Sequence, residues 1–258
     1  MSYPIDEQNL ERQRLLARVL EPITKRLLDG LRLRPDSRCL DIGCGIGETT
    51  RLIARYLGPQ SECTGVDQDA GLIQVAQTGP STGARLTFRV CDATKLPFED
   101  ETFDFVFTCY LLVHVREALT LLREMIRVAH KGAVVAAQEG DFMFNQCCYP
   151  DSWAYKRLND IWGAVFANAT VGRQLVALFR EAGCRPAGTM ADICIEPGCS
   201  GLKRLFRMTF EAVGPALLAK GLLNESEFNA LCQEFLRVET DEAVVSISNP
   251  VITVWSVV

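Results

Sequence analysis

The chain has no apolar run long enough to span a membrane, and its first residues, MSYPIDEQNLERQRLL, lack the apolar core of a secretory signal. It also has no surplus of positive charge, because 27 Lys and Arg stand against 32 Asp and Glu, a formal net charge of −5. An acidic chain is a poor binder of polyanions. We therefore expect a cytoplasmic protein that binds neither membranes nor nucleic acid.

Metal ligands in a suitable arrangement are lacking as well. Only two histidines are present, and the 11 cysteines are scattered through apolar segments. The one adjacent pair, Cys147 and Cys148, has no further ligands at a suitable spacing. We expect no metal site, and thiols that stay reduced and fill small core positions.

The apolar pattern alternates between short strand-like runs and longer helix-like segments over the first half of the chain. Such alternation predicts an α/β fold, a doubly wound parallel sheet with helices on both faces. The predicted strands are RCLDIG, ECTGVD, RLTFRVCD, TFDFVFTCYLL and GAVVAAQEG. TMADICIE and the C-terminal NPVITVWSVV are further candidates.

The absence of a repeat or an obvious linker favours one domain with long insertions over two domains. Residues 6–30 have helical spacing, but Pro22 should divide them into two short helices. From about residue 141 the alternation is lost. The expected parts of the single 1–258 domain are an N-terminal helical arm (1–34), a cofactor-binding half (37–140) and two substrate-lid insertions (141–171 and 197–240).

The most informative stretch is CLDIGCGIGETT, in which Gly43, Gly45 and Gly47 directly follow the first strand. A glycine turn there is typical of nucleotide binding at the next helix N-terminus. The dinucleotide fingerprint G-x-G-x-x-G fails, since its sixth position is Glu48. Asp41 would also repel a pyrophosphate and attract a cationic ligand. S-adenosylmethionine, with its ammonium and sulfonium, fits this pattern.

Acidic residues after the next two strands agree with an adenosyl ligand. Asp67 ends the second strand roughly 20 residues beyond the glycines, where a carboxylate binds both ribose hydroxyls. Asp92 follows the third strand, where it is placed to accept from an adenine amino group, with the Ala93 N–H offered to the ring. The structural alternatives are a helix cap for Asp67 and a turn cap for Asp92.

These motifs, together with FDFVFTCYLLVHV and HKGAVVAAQE, resemble the class I S-adenosylmethionine-dependent methyltransferases over about residues 37–140. The whole layout is similar to bacterial small-molecule methyltransferases of natural-product pathways. The resemblance implies a Rossmann-like, seven-stranded, mostly parallel sheet whose last strand is antiparallel.

The resemblance also implies roles for residues outside the acidic positions. The three glycines would line the methionine end, and Gln68 would flank the adenine. Thr108 and Cys109 would place backbone carbonyls near the ligand ammonium. Gln13, on the N-terminal arm, would close over the cofactor.

Candidates for acid–base chemistry follow strands four and five. A neutral His114 at the mouth of the site would accept a proton from the substrate, and the favoured alternative is a histidine that packs on the cofactor or is satisfied by the backbone. Glu139 and Asp141 should face the crevice, to orient substrate or act as base. His130 should be structural.

An aromatic-rich segment follows the fifth strand and would wall an apolar substrate pocket or simply fill the core. Its members are Phe142, Phe144, Tyr149, Trp153, Tyr155 and Trp162. The function expected is in-line methyl transfer to a small, fairly apolar metabolite at O, N or C. The alternatives are a macromolecule methyltransferase, or a protein of this fold that binds the cofactor without transferring methyl. The acceptor, its pathway and the oligomeric state are left open.

Overall fold

The computed structural model describes residues 5–80, 82–196 and 201–258. Over these residues, eight α-helices alternate with strands in the first half of the chain and gather in the second. Their bounds are α1 Glu7–Gly30, α2 Glu48–Leu57, α3 Ala70–Thr78, α4 Ala118–Val128, α5 Trp153–Trp162, α6 Val171–Glu181, α7 Gly201–Ala219 and α8 Glu225–Thr240. No helix within these described ranges is long and apolar enough to cross a membrane.

In the described part of the chain, ten strands form one large and one small sheet. Their bounds are β1 Arg38–Ile42, β2 Glu62–Asp67, β3 Arg85–Val90, β4 Phe103–Cys109, β5 Ala129–Gly140, β6 Cys147–Tyr149, β7 Gly188–Asp192, β8 Ile195–Glu196, β9 Val245–Ile247 and β10 Val251–Val257. The seven-stranded sheet has the order β3-β2-β1-β4-β5-β10-β7. β1 to β5 are parallel, and β10 runs antiparallel to both β5 and β7. The predicted fold class is confirmed.

The central strands are buried on both faces, as the near-continuous apolar runs predict. On one face Leu40 and Val106 pack with α4 and α6, and on the other Phe105 and Phe107 pack with α1 and α2. Period-two alternation sends neighbouring side chains of one strand into these two cores. Because β1, β2 and β4 run parallel, their carboxyl ends meet at one edge of the sheet.

The N-terminal arm is a single helix, so the expectation of two short helices is wrong. α1 continues through Pro22 without a break. Its buried face includes Leu15, Leu20, Leu27 and Leu28. Burying a large apolar side chain stabilises by about 1.5–3 kcal/mol, so this face offsets the roughly 3 kcal/mol that an internal proline costs.

The second half of the chain builds a separate aromatic core and a small sheet. β6, β9 and β8 pair antiparallel. α5, α7 and α8 enclose Trp162, Phe210 and Phe235. The single strand expected at TMADICIE is two strands, β7 and β8, in different sheets. The part of the 197–240 insertion before residue 201 lies outside the described residues.

Candidate functional site

The glycine turn between β1 and α2 needs glycine at each of its three positions. Gly43, Gly45 and Gly47 have φ of 76°, 52° and 82°, the left-handed region that side chains disfavour. The turn is tied to β2, because the Gly43 and Cys44 amides both donate to the Val66 carbonyl, at 2.8 and 3.0 Å.

Asp67, at the end of β2, links the glycine turn to the following loop. Its Oδ2 accepts from the Gly45 amide at 3.0 Å, and its Oδ1 accepts from the Asp69 amide at 3.0 Å. Asp69 in turn caps α3. Asp67 and Gly45 therefore hold one wall of a cavity together.

That cavity has a volume of about 530 Å³ and opens at the carboxyl ends of the parallel strands. Six of the predicted cofactor and catalytic residues line it, and so does Gln13 of the arm. The six are Gly43, Gly45, Asp67, Gln68, Cys109 and His114. A volume of about 300–1,000 Å³ at such a position is usual for a small-molecule site.

Asp41 lies behind the glycine turn, not in the cavity lining. It is 2% exposed and accepts from the Thr50 hydroxyl at 2.6 Å. Burial raises the pKa of Asp41 to about 7, the Thr50 hydrogen bond opposes this, and the negative charge of Asp67 adds to it. This hydrogen bond links β1, before the glycine turn, to α2, after it. Gly47 is the N-terminal cap of α2 and likewise does not line the cavity.

Asp92 and Ala93 also lie outside the cavity lining. The exposed Asp92 accepts from the Thr94 amide and hydroxyl through Oδ1, at 2.8 and 2.7 Å, which lowers its pKa. Asp92 and Ala93 lie in the loop after β3, and Val90 of β3 pairs with Asp67. The turn cap expected as the alternative for Asp92 is thereby observed, and its adenine role stays a prediction.

The segment after β4 brings Cys109 and Tyr110 to the opposite wall. Thr108 is buried, its hydroxyl donating to the Ile42 carbonyl at 2.9 Å. Tyr110 has a φ of 55°, rare for a non-glycine residue, and its amide donates to the Gln138 carbonyl at 2.9 Å. This bend turns the chain towards the glycine turn, where Leu111 lies against Gly43.

His114 ends a short 3-10 helix at Leu112–His114, and its ring is 5.7 Å from that of Phe166. Burial lowers the pKa of His114 to about 4, and the positive charge of Arg12 adds to this. The imidazole is therefore neutral at physiological pH. His130, in contrast, lies at the far end of β5 and pairs with Asp104.

The expectation that Glu139 faces the crevice is wrong. Its carboxylate is fully buried, and Oε1 accepts from the Leu111 and Leu112 amides at 2.8 and 2.6 Å. Burial raises the pKa of Glu139 to about 8, against the lowering effect of these amides. Glu139 braces the turn that forms the cavity wall, because β5 directs it beneath that turn.

The expectation that Asp141 faces the crevice is also wrong. Its side chain is fully buried and does not line the cavity. It binds the Arg173 guanidinium through both carboxylate oxygens and accepts from the Met143 amide. Asp141 therefore fixes α6 to the end of β5.

An aromatic wall completes the cavity. The Phe142 ring stacks on Phe166 at 4.3 Å, and the Trp162 ring meets Phe166 edge-on at 5.4 Å. Of the six aromatic residues expected to form a pocket, Phe142 and Trp162 line it. Phe144, Tyr149 and Trp153 are exposed, and Tyr155 is buried against Phe206 and Phe235.

Several lining residues were not singled out from the sequence. They are Arg12, Gln146, Phe166, Phe206, Thr209 and Asn249, among others. Arg12 had a usable signal, since it neighbours Gln13 on a helix already expected to cover the cofactor. The rest come from distant segments and carry no common motif. Within the described residues, no group of three metal-ligating side chains occurs.

Side chains at the glycine turn would narrow the cavity above it. A Cβ at Gly45 would come within 2.7 Å of the Gln13 Oε1, and one at Gly43 within 2.9 Å of Leu111. The space above the turn is thus kept open by the missing side chains. Asp67 and the neighbouring Asp69 give this end a negative charge suited to a cationic ligand.

Comparison with known proteins agrees with this interpretation. Residues 40–137 match the family model described as a methyltransferase domain. A demethylmenaquinone methyltransferase of Staphylococcus aureus is 32% identical over 115 residues, 45% of this chain and 48% of that protein. The chain thus spans about half the length of the curated relatives it matches.

Two solved structures share the fold over most of the chain. One is a protein of Bacillus halodurans assigned to the methyltransferases, with a TM-score of 0.60, 16% identity, and coverage of 90% of this chain and 96% of that chain. The other is the cyclase SpnF, with a TM-score of 0.57, 19% identity, and coverage of 92% and 81%. At these identities the likeness establishes the fold alone.

Fold and site define a Rossmann-like protein with a cavity at the carboxyl edge of its sheet. More particularly, residues 40–137, which include the glycine turn and Asp67, match the methyltransferase domain family.

Proposed function

We propose that this protein transfers a methyl group from S-adenosylmethionine to a small, largely apolar acceptor molecule. One observation carries the proposal. A single cavity joins the glycine turn and Asp67 on one side to the wall of Phe142, Trp162 and Phe166 on the other. A cofactor and an apolar acceptor would therefore meet inside one cavity.

Different residues of the chain would serve the two ends of the cavity. Gly43, Gly45 and Asp67 would hold the methionine and ribose parts, with Gln13 above them. Bound S-adenosylmethionine supplies a methyl group that its sulfonium sulfur has already activated. The aromatic wall would exclude water and set the approach of the acceptor, which is most of what such a reaction requires.

His114 is the candidate proton acceptor in the cavity wall near the aromatic side chains. The acceptor atom uses a lone pair to bond to the methyl carbon. If that atom carries a proton, it must then lose it. A neutral imidazole in the cavity wall can take that proton. Its pKa of about 4 makes it a weak base, so it suits an acceptor that is itself acidic, such as a phenol.

The relative from S. aureus is named for methylation of demethylmenaquinone, which supports a quinol-like acceptor for this chain. The aromatic wall supports the same class. The fold also serves the cyclase SpnF, so fold alone leaves open a protein that binds the cofactor for another purpose.

Calorimetry and a labelled-methyl assay test the proposal. We expect S-adenosylhomocysteine to bind with one site per chain, and radiolabelled methyl to move from S-adenosylmethionine to one of a panel of phenols and naphthols. Binding without transfer to any acceptor would favour the non-transferring alternative. No binding of either adenosyl compound would overturn the proposal.

A further inference from the structure

Arg51, on α2, is among the largest side chains that the fold buries completely, at 1% exposed. Its guanidinium donates to three main-chain carbonyls: Nη1 to Ile46 at 2.9 Å, Nε to Pro80 at 3.0 Å, and Nη2 to Ala76. Burying a charged group is costly unless such hydrogen bonds compensate for the lost water. Because all three acceptors belong to the main chain, Arg51 ties segments of backbone together.

The three carbonyls lie on two segments of the chain. Ile46 is part of the glycine turn, two residues before α2 begins. Ala76 is in the last turn of α3, and Pro80 follows the end of that helix. The last carbonyls of a helix lack their regular amide partners, and a cation there is favourable. Arg51 therefore joins the glycine turn to the C-terminal end of α3.

The other end of α3 forms part of the cavity wall. Asp69 caps the helix and lines the cavity together with Asp67. The Gly45 amide donates to Asp67 Oδ2 at 3.0 Å, which links the glycine turn to this segment within the cavity lining. Arg51 supplies a second link outside the lining, at the far end of the same nine-residue helix. The turn and α3 are thus held together at two places.

Two glycines leave the space that the guanidinium occupies. A Cβ at Gly47 would lie 2.7 Å from Arg51 Nη1 and 2.7 Å from the Phe88 ring. A Cβ at Gly79, the C-terminal cap of α3, would overlap the same guanidinium. Arg51 Cζ lies over the Phe88 ring, 5.1 Å from its centre. Gly47, which does not line the cavity, therefore makes room for Arg51 and Phe88.

We propose that Arg51 is a positioning residue for the cofactor half of the cavity: it fixes the glycine turn against α3 and so sets the spacing between the turn and Asp67. Gly47, the third glycine of the motif, then serves Arg51 and not the ligand. Arg51 does not line the cavity, so its effect on a ligand passes through the turn. The inference rests on the proposed function only in taking this half of the cavity as the cofactor site.

Three single variants separate this role from a general loss of packing. Arg51→Met removes all three hydrogen bonds and keeps an unbranched stem. Arg51→Lys keeps the positive charge but loses the planar fork that reaches three carbonyls. Lys203→Met is the matched control, because Lys203 on α7 is also 1% exposed and lies outside the cavity lining. Its Nζ donates to the Asp241 and Val244 carbonyls at 2.7 and 3.2 Å, so the control removes an equally buried cation that ties other segments.

Hydrogen exchange followed by mass spectrometry tests the link in the ligand-free chain. A hydrogen bond to a charged group contributes a factor of about ten or more. Arg51→Met should therefore speed exchange by about that factor in peptides that cover the glycine turn and the end of α3. Arg51→Lys should show a smaller increase, and Lys203→Met should leave both segments close to the wild-type rate. Wild-type exchange of both segments in Arg51→Met would overturn the proposal.

Calorimetric titration with S-adenosylhomocysteine measures the consequence for the cofactor half. Arg51→Met should bind about tenfold or more weakly than the wild type. Arg51→Lys should fall between the two, and Lys203→Met should bind like the wild type. Circular dichroism at the titration temperature checks that each variant is folded. Wild-type affinity in folded Arg51→Met, or an equal loss in Lys203→Met, would overturn the positioning role.

Arg51→Lys keeps the proposal testable if Arg51→Met does not fold. Wild-type exchange together with wild-type affinity in Arg51→Lys would then overturn it. Failure of the proposed function has a different signature, because the wild-type chain itself would not bind S-adenosylhomocysteine. The exchange measurement would still decide whether Arg51 links the turn to α3.

Discussion

Gly45→Ala tests whether the glycine turn is a cofactor site or only a tight turn. Gly45 has a φ of 52°, where an alanine costs about 1–2 kcal/mol of backbone strain. Its Cβ would lie 2.7 Å from the Gln13 Oε1, above the turn and within the cavity lining. The Gln13 side chain can swing aside, so the stability loss should be little more than the strain.

Gly132→Ala provides the matched control. Gly132 has a φ of 83°, and a Cβ added there would meet nothing within 4 Å, so the substitution adds strain without contact. Both variants should therefore unfold at lower denaturant concentration by a similar free energy, about 1–2 kcal/mol. Only Gly45→Ala also places a methyl group where the ligand should lie.

Overlap with a bound ligand costs about 1–3 kcal/mol, by analogy with overpacking of a core. Calorimetric titration with S-adenosylhomocysteine should therefore show roughly 5- to 150-fold weaker binding to Gly45→Ala. Binding to Gly132→Ala should match that of the wild type. Equal binding by Gly45→Ala and the control would refute the cofactor role of this turn, even if both proteins lost stability.

The remaining predictions concern three other residues of the site. Asp67→Asn should weaken S-adenosylhomocysteine binding by tenfold or more, because the carboxylate anchors the Gly45 amide and lines the end of the cavity proposed to hold the cofactor; unchanged calorimetric affinity would contradict this. Glu139 has a raised folded-state pKa, so its contribution to stability is complete below about pH 4.5 and is lost as pH rises to about 8. Glu139→Gln should accordingly stabilise the protein at pH 8 relative to pH 5 in urea titrations, by up to about 4 kcal/mol for the shift cited; an equal effect at both pH values would exclude a buried protonated acid. His114→Phe should lower methyl transfer to a phenol by about 10²–10⁴-fold if the imidazole accepts the proton, whereas His130→Phe should change it little; equal rates for both variants would limit His114 to packing.

The fold was largely predictable because its signals are local. Each parallel strand is a short apolar run between helical segments, and the strand positions are confirmed to within a few residues. Pro22 is the clearest failure. Its local cost is real, but the burial of α1 against the sheet outweighs that cost, and burial is not visible in one segment.

The candidate site was likewise predictable only in part. The glycine turn and Asp67 were found because backbone with positive φ and a strand-end acid leave a pattern in sequence. Glu139 and Asp141 were misplaced because residues 135–141 are all buried. A strand buried on both faces has no alternation that would show which side chains face the ligand.

By itself, then, the sequence determined the class of fold and pointed to the glycine turn and Asp67, which line the cavity, since both follow from short contiguous motifs. Only the tertiary structure decided the acceptor half. Its wall combines α1, the segment around Gln146, the end of α5 and the start of α7, which are far apart in the chain. This wall exists only once these elements have packed together, because no single segment of the chain contains it.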